Sequence, residues 1–174
     1  MRPFASTRRL LTALVALAVV AVPVVTATGA SAGTTGGRLR PESFYIAISE
    51  TSSTSPLWAY GPVRGYGTDT ENSNGNTGVF NFGHGNTVNV DHTNVNNIQP
   101  KLNYRTCTET EYATGWWTFN GGTGRYRYAS GYGRFAFSIY VVAPRHRNGQ
   151  CNFSENAQPV YFSGHVTAWG YARR

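Results

Sequence analysis

Side chains able to do chemistry are few in this 174-residue chain: two cysteines, four histidines and eight carboxylates. Cys107 and Cys151 are the only thiols, and neither sits in a context that suggests an activating histidine, so a cysteine nucleophile is not indicated. The N-terminal segment, described below, directs the chain to an oxidising compartment, where two cysteines pair. A Cys107–Cys151 bridge would tie the Leu102–Glu111 strand to the loop before the last strand, and closing that ring would stabilise the fold by about 4 kcal/mol. Two free thiols at separate sites are the alternative.

Imidazole and carboxylate at His84, Asp91 and His92 are suitable metal ligands. Yet His84 lies between Gly83 and Gly85 in a turn, and His92 closes an Asn-rich strand, so they read as exposed polar groups. No metal site and no cofactor is expected. His146, between Arg145 and Arg147, reads as a solvated basic loop. His165 shares a strand face with Tyr161, Ser163, Thr167 and Trp169. Tyr161, His165 and Trp169 combine apolar bodies with hydrogen-bonding tips and are the candidate ligand-binding residues if they line a cavity. The opposite face, Val160, Phe162, Val166 and Ala168, is the more natural core, and it would put that trio outside. Glu109 and Glu111 share a strand face, where like charges raise a carboxyl pKa. No Ser-His-Asp spacing, glycosidase-type carboxylate pair or nucleotide-binding loop stands out.

Arg125, Arg127, Arg134, Arg145 and Arg147 gather in the second half with Tyr126, Tyr128 and Tyr132 between them. Arginine with aromatic groups suits an anionic polysaccharide, an acidic cell-wall polymer or single-stranded nucleic acid. Export makes nucleic acid an unexpected partner. Alternation over 125–128 predicts the tyrosines inward and the arginines outward.

These side chains must be positioned by strands. Residues 33–174 hold three leucines, no methionine and one lysine, while Tyr, Phe, Trp, Val, Thr, Asn and Gly fill the space. Aromatic and β-branched residues suit pleated strands, and Gly and Asn suit the turns between them. Phe135, Phe137, Ile139 and Val141 alternate with Ala136, Ser138, Tyr140 and Val142, and the same period runs from Val160 to Trp169 and from Thr87 to His92. Shorter candidates are 44–49, 58–68, 78–82, 102–111 and 115–120. The Asn-rich stretch 72–97 is interrupted by Val79, Phe80, Phe82, Val88 and Val90 and reads as strands between polar loops. Many short strands joined by turns predict an all-β sandwich or up-and-down barrel. Residues 144–158 read as a flexible loop.

Arg2, Arg8 and Arg9 precede an apolar run from Leu10 to Val25, and Ala30-Ser31-Ala32 offers a cleavage site. This is a signal-peptide profile with the cut after Ala32. The domain reading is therefore a signal peptide at 1–32, a flexible N-terminal segment at 33–42 and a barrel domain at 43–174. No later stretch approaches the ~20 apolar residues of a membrane span, so a secreted protein without an anchor is expected.

One segment carries a signature: Gly121-Gly122-Thr123-Gly124-Arg125-Tyr126, followed by Ala129-Ser130-Gly131-Tyr132-Gly133. It resembles the Gly-Gly-Thr-Gly-x-aromatic segment of the allene oxide cyclase and dirigent superfamily, and the layout is similar to that of secreted actinobacterial proteins with such a barrel. The resemblance implies one eight-stranded antiparallel β-barrel. Gly121, Gly122 and Gly124 are expected at positive φ in a tight reversal, and Gly131 and Gly133 at a bend or bulge. The family's catalytic residues find no counterparts that can be aligned here. The functional expectation is a non-catalytic binding or structural module whose partner is an anionic cell-surface polymer or a small hydrophobic ligand. The alternative is an isomerase or cyclase acting on a small hydrophobic substrate inside the barrel.

Overall fold

The computed structural model describes residues 37–73, 75–97, 100–154 and 156–174. The signal peptide at 1–32, its cut after Ala32 and residues 33–36 of the 33–42 segment lie outside the described residues. Among the described residues no helix is long and apolar enough to cross a membrane.

Among the described residues nine strands follow one another: β1 (Arg40–Ala47), β2 (Thr54–Tyr60), β3 (Gly65–Glu71), β4 (Thr77–Asn81), β5 (Thr87–Asn97), β6 (Lys101–Asn103), β7 (Thr108–Gly122), β8 (Ser130–Val142) and β9 (Tyr161–Arg173). Every pairing is antiparallel, between sequence neighbours except where β5 meets β7 and β1 meets β9. Those two contacts close an eight-stranded up-and-down barrel. The three-residue β6 pairs with the first residues of β7, beyond the part that β5 covers.

Strand bounds differ from the sequence pattern where turns are weak or inward positions are not apolar. The single candidate 58–68 is two strands broken by Gly61-Pro62, and 102–111 with 115–120 is mostly the one long strand β7. β1 begins at Arg40, inside the segment assigned to the flexible N-terminal piece.

One side chain from every second residue points inward. Phe44, Phe80, Trp117 and Phe119 meet across the middle at ring-centroid distances of 4.5–6.1 Å, with Leu57, Val88, Val90 and Ala168 around them. Trp117 is 1% exposed, and its indole N–H donates to Arg134 O at 3.2 Å. Gly133 and Gly170 make room for it: a Cβ on Gly133 would strike Trp169 O and stand 2.7 Å from Trp117 Cζ2. Gly131 and Gly133 therefore serve close approach and not a bulge, because β8 keeps continuous register with both neighbours. The irregularities lie in β5, between Val88 and Val90 and between Asn94 and Asn96.

In the signature segment Gly121 (φ +73) and Gly124 (φ +56) are left-handed as expected. Gly122 is not: it ends β7 in an extended conformation, and a side chain there would collide with Thr87 O. A single 3-10 turn, Gly124–Tyr126, replaces the expected hairpin alternation. Tyr126 is fully buried at this end of the barrel, where its hydroxyl donates to Arg64 O (2.9 Å) and accepts from Arg64 N (3.2 Å). Tyr128 was expected inside, but the turn throws it outward, 75% exposed, under the Arg127 guanidinium.

Cys107 and Cys151 are bonded, with Cα atoms 5.2 Å apart. The bond joins the β6–β7 turn to the 143–160 loop, whose residues also bond one another: Arg145 bridges Cys151, and its guanidinium donates to Gly149 O and Arg105 O.

Candidate functional site

Three arrangements on this barrel hold side chains with chemistry to offer. The first is at the end where β1 and β3 begin and β2 and β9 finish. Arg38, Arg40, Arg64, Arg173 and Arg174 surround a cleft of about 610 Å³ floored by Gly61 and Pro62, and no acidic side chain lines it. Tyr126 fixes the backbone of Arg64 from beneath, and Arg125 donates to Arg64 O at 3.4 Å. Five arginines lining one concavity, with Arg173 Nε donating to Ser130 Oγ at 2.9 Å, make it a site suited to anions, since guanidinium is always charged and forks onto carboxylate, phosphate or sulfate.

Just inside this end is Glu42, 2% exposed. Its Oε2 accepts from Val63 N at 2.9 Å, while Oε1 has no partner among the described residues. Burial pushes this carboxyl up to about 7, against the lowering effect of the Val63 and Ser43 amides. The folded state thus holds the Glu42 proton more tightly than the unfolded chain does. Stability from this source is complete below about pH 4.5 and is lost as pH rises through about 7, a change of up to about 3 kcal/mol. Urea unfolding at pH 5 and pH 8 should show this decline, and Glu42→Gln should reduce it. Parallel profiles for the two proteins would refute the assignment.

The second arrangement lies at the opposite rim. Asp69 and Glu71, two residues apart on β3, both turn inward beside Gly78. Asp69 is 4% exposed, and its pKa is raised well above the ordinary carboxyl range by burial, by the charge of Glu71 and by a hydrogen bond with Glu71. Glu71 Oε2 lies 2.9 Å from His92 Nε2, and the His92 ring stands edge-on to Phe135. The raised Asp69 pKa favours its protonated form beside Glu71, and Glu71 in turn faces the His92 imidazole. His84, Asp91 and His92 are not brought together: His84 sits in a turn at φ +53, and Asp91 faces outward to the Asn120 amide. His92, expected to be exposed, points inward with Val88 and Val90. Among the described residues no group of three His, Cys, Asp or Glu could hold a metal ion. On β7, burial and then the neighbouring Glu109 raise the Glu111 pKa, as their shared face predicts.

The third is the outside wall. Ala168 is buried and Phe162 and Val166 are partly buried, so Tyr161, His165 and Trp169 face outward. Val160, expected with the core, lies before β9 and is 72% exposed. His165 stacks on Tyr45 at 5.9 Å, Tyr45 meets Trp58 at 5.7 Å, and Trp58 meets Tyr66 at 5.4 Å, forming a row of rings across β9, β1, β2 and β3. The Arg134 guanidinium lies 4.3 Å from the centre of the Trp116 ring, and Arg134 pairs in register with Trp169.

Sequence reasoning missed Glu42, Asp69 and Glu71 and the arginine cleft. Glu42 could have been found from parity, since it keeps step with Phe44 and Ile46, whereas no apolar residue marks the face of β3 that carries Asp69 and Glu71. The cleft could not, because its arginines come from three separate stretches of chain. Compared with known proteins, the chain matches no family model, no curated protein and no solved structure.

Proposed function

We propose that this chain is an exported, non-catalytic binding module, built on an allene oxide cyclase/dirigent-like barrel, that holds an anionic cell-surface polymer. The observation that carries this reading is the cleft lined by Arg38, Arg40, Arg64, Arg173 and Arg174, with no acidic side chain lining it among the described residues. The barrel closure and the left-handed Gly121 and Gly124 support the family resemblance. The alternative, an isomerase or cyclase, needs room for a substrate in the lumen, and Phe44, Phe80, Trp117 and Phe119 occupy its middle. A binder with a filled interior must use its surface, and here the surface carries the charge.

Poly-glutamate, an anionic polymer without sugars, tests this directly. It should bind at low ionic strength and lose affinity as salt is added, because exposed charges are screened within ~10 Å at 0.1 M. Arg64→Glu with Arg173→Glu should weaken binding by about tenfold or more, equivalent to at least ~1.4 kcal/mol. No binding at low salt, or equal binding by the variant, would overturn the proposal.

A further inference from the structure

We infer that the polymer is an acidic polysaccharide, whose sugar rings lie on the outer row Tyr66, Trp58, Tyr45 and His165 while its acid groups enter the arginine cleft. This rests on the polyanion reading above and adds the chemistry of the chain that bears the charges.

The first support is what the wall displays. Outward positions of β1, β2 and β3 carry Pro41, Ser43, Tyr45 and Ala47, then Thr54, Pro56, Trp58 and Tyr60, then Tyr66, Thr68 and Thr70. Those of β9 are Tyr161, Ser163, His165, Thr167, Trp169, Tyr171 and Arg173. Across these four strands the face holds no acid, and its single arginine, Arg173, already lines the cleft. It holds no Leu, Ile, Val or Met either. With no long aliphatic side chain, the face offers little in which a lipid acyl chain could be buried. Aromatic rings interspersed with hydroxyls suit a ligand with flat C–H faces and a hydroxylated rim, which describes a pyranose ring.

The second support is geometry. The row runs across the strands, so its four rings step from strand to strand and cover three strand spacings, ~14 Å in all. That is an extended track for a chain of rings and not a pocket for one small molecule. Neighbouring centroids 5.4–5.9 Å apart keep the rings in contact with one another, which holds them in place before a ligand arrives.

Continuity with the charged end is the third support. Tyr66 stands two residues after Arg64, Tyr171 two residues before Arg173, and Tyr60 next to the Gly61 floor of the cleft. Two strand residues advance ~7 Å, so one chain can touch both regions. Neutral rings and guanidiniums on one continuous surface match a polymer that carries both sugar rings and acid groups.

Wild-type protein should bind oligogalacturonate more tightly than poly-glutamate of equal charge by about tenfold, the worth of one good ring contact. Trp fluorescence should change on adding the saccharide and not on adding poly-glutamate. Trp58→Ala with Tyr66→Ala should abolish the preference and leave poly-glutamate affinity unchanged. Tyr66→Ser, at an exposed ring, gives the same test in a milder variant should the double change impair folding. Equal affinity of the wild type for both polymers would overturn this inference while leaving the polyanion module intact. Failure of both polymers to bind would overturn both. Sedimentation showing that the wild type self-associates and the Trp58→Ala, Tyr66→Ala protein does not, with the polymer preference retained, would make the wall a contact between copies and also overturn it.

Discussion

Reduction of the Cys107–Cys151 bond, or replacement of both cysteines by serine, should lower the unfolding free energy by about 4 kcal/mol, as expected for freeing a closed loop of this length in the unfolded chain. The ring it closes contains β7 and β8 entire, two of the three longest strands of the barrel wall. Opening it lets the unfolded chain separate them. The native state also loses a tie between the 143–160 loop and the β6–β7 turn, which then meet through contacts such as Arg145 to Arg105 O and the Tyr104–Phe153 ring pair. Paired urea titrations with and without a reductant would measure the difference. A shift below about 1 kcal/mol would mean that the bond adds nothing to the barrel beyond its hydrogen-bonded wall.

Almost as large an effect is expected from one methyl group. Gly133→Ala puts a Cβ against Trp169 O and into the face of the Trp117 indole, so either β8 must leave β9 or the indole must move. Overpacking of this kind costs about 3 kcal/mol. The two routes are separable. Trp117→Phe removes the ring that stands over Gly133 and leaves a cavity, so each change alone destabilises. Combined, they should cost at least 1 kcal/mol less than the sum of the two, because the added methyl then has somewhere to go. Strict additivity in thermal or urea unfolding would place the clash with the Trp169 carbonyl and clear the indole.

These expectations also show what was legible in the residues. β9 could be read correctly because Phe162, Val166 and Ala168 alternate with polar or amphipathic neighbours over a long run, and Tyr161, His165 and Trp169 had then to lie outside if that apolar face was the core. β3 could not be read. Its inward positions are Gly67, Asp69 and Glu71, a glycine packed close to Asn81 and Phe82 and two neighbouring acids, and none of them looks apolar. The same inversion hid Glu42. β7 looked like two strands because its run is broken by Gly115, whose place beside Phe135 and the Thr93 carbonyl admits no side chain. For the site, the arginines adjacent in sequence, 125 to 147, drew attention, while those that share a cleft come from 38–40, 64 and 173–174. Proximity made by closing a barrel leaves no local trace in the sequence.

That closure has a consequence in time. The seam joins the first strand to the last, pairing Arg40 with Ala172 and Ala47 with His165, and so it depends on contacts between opposite ends of the domain. Contacts of such long range form late and slowly, because most of the chain's freedom must be surrendered before they are made. While β9 is still missing, β1 and β8 each present an unpaired edge, and the emerging polypeptide is a curved open sheet able to accept a foreign strand. The wall is completed only when β9 (Tyr161–Arg173) arrives, so a nascent chain of this protein remains unlatched until that strand has emerged.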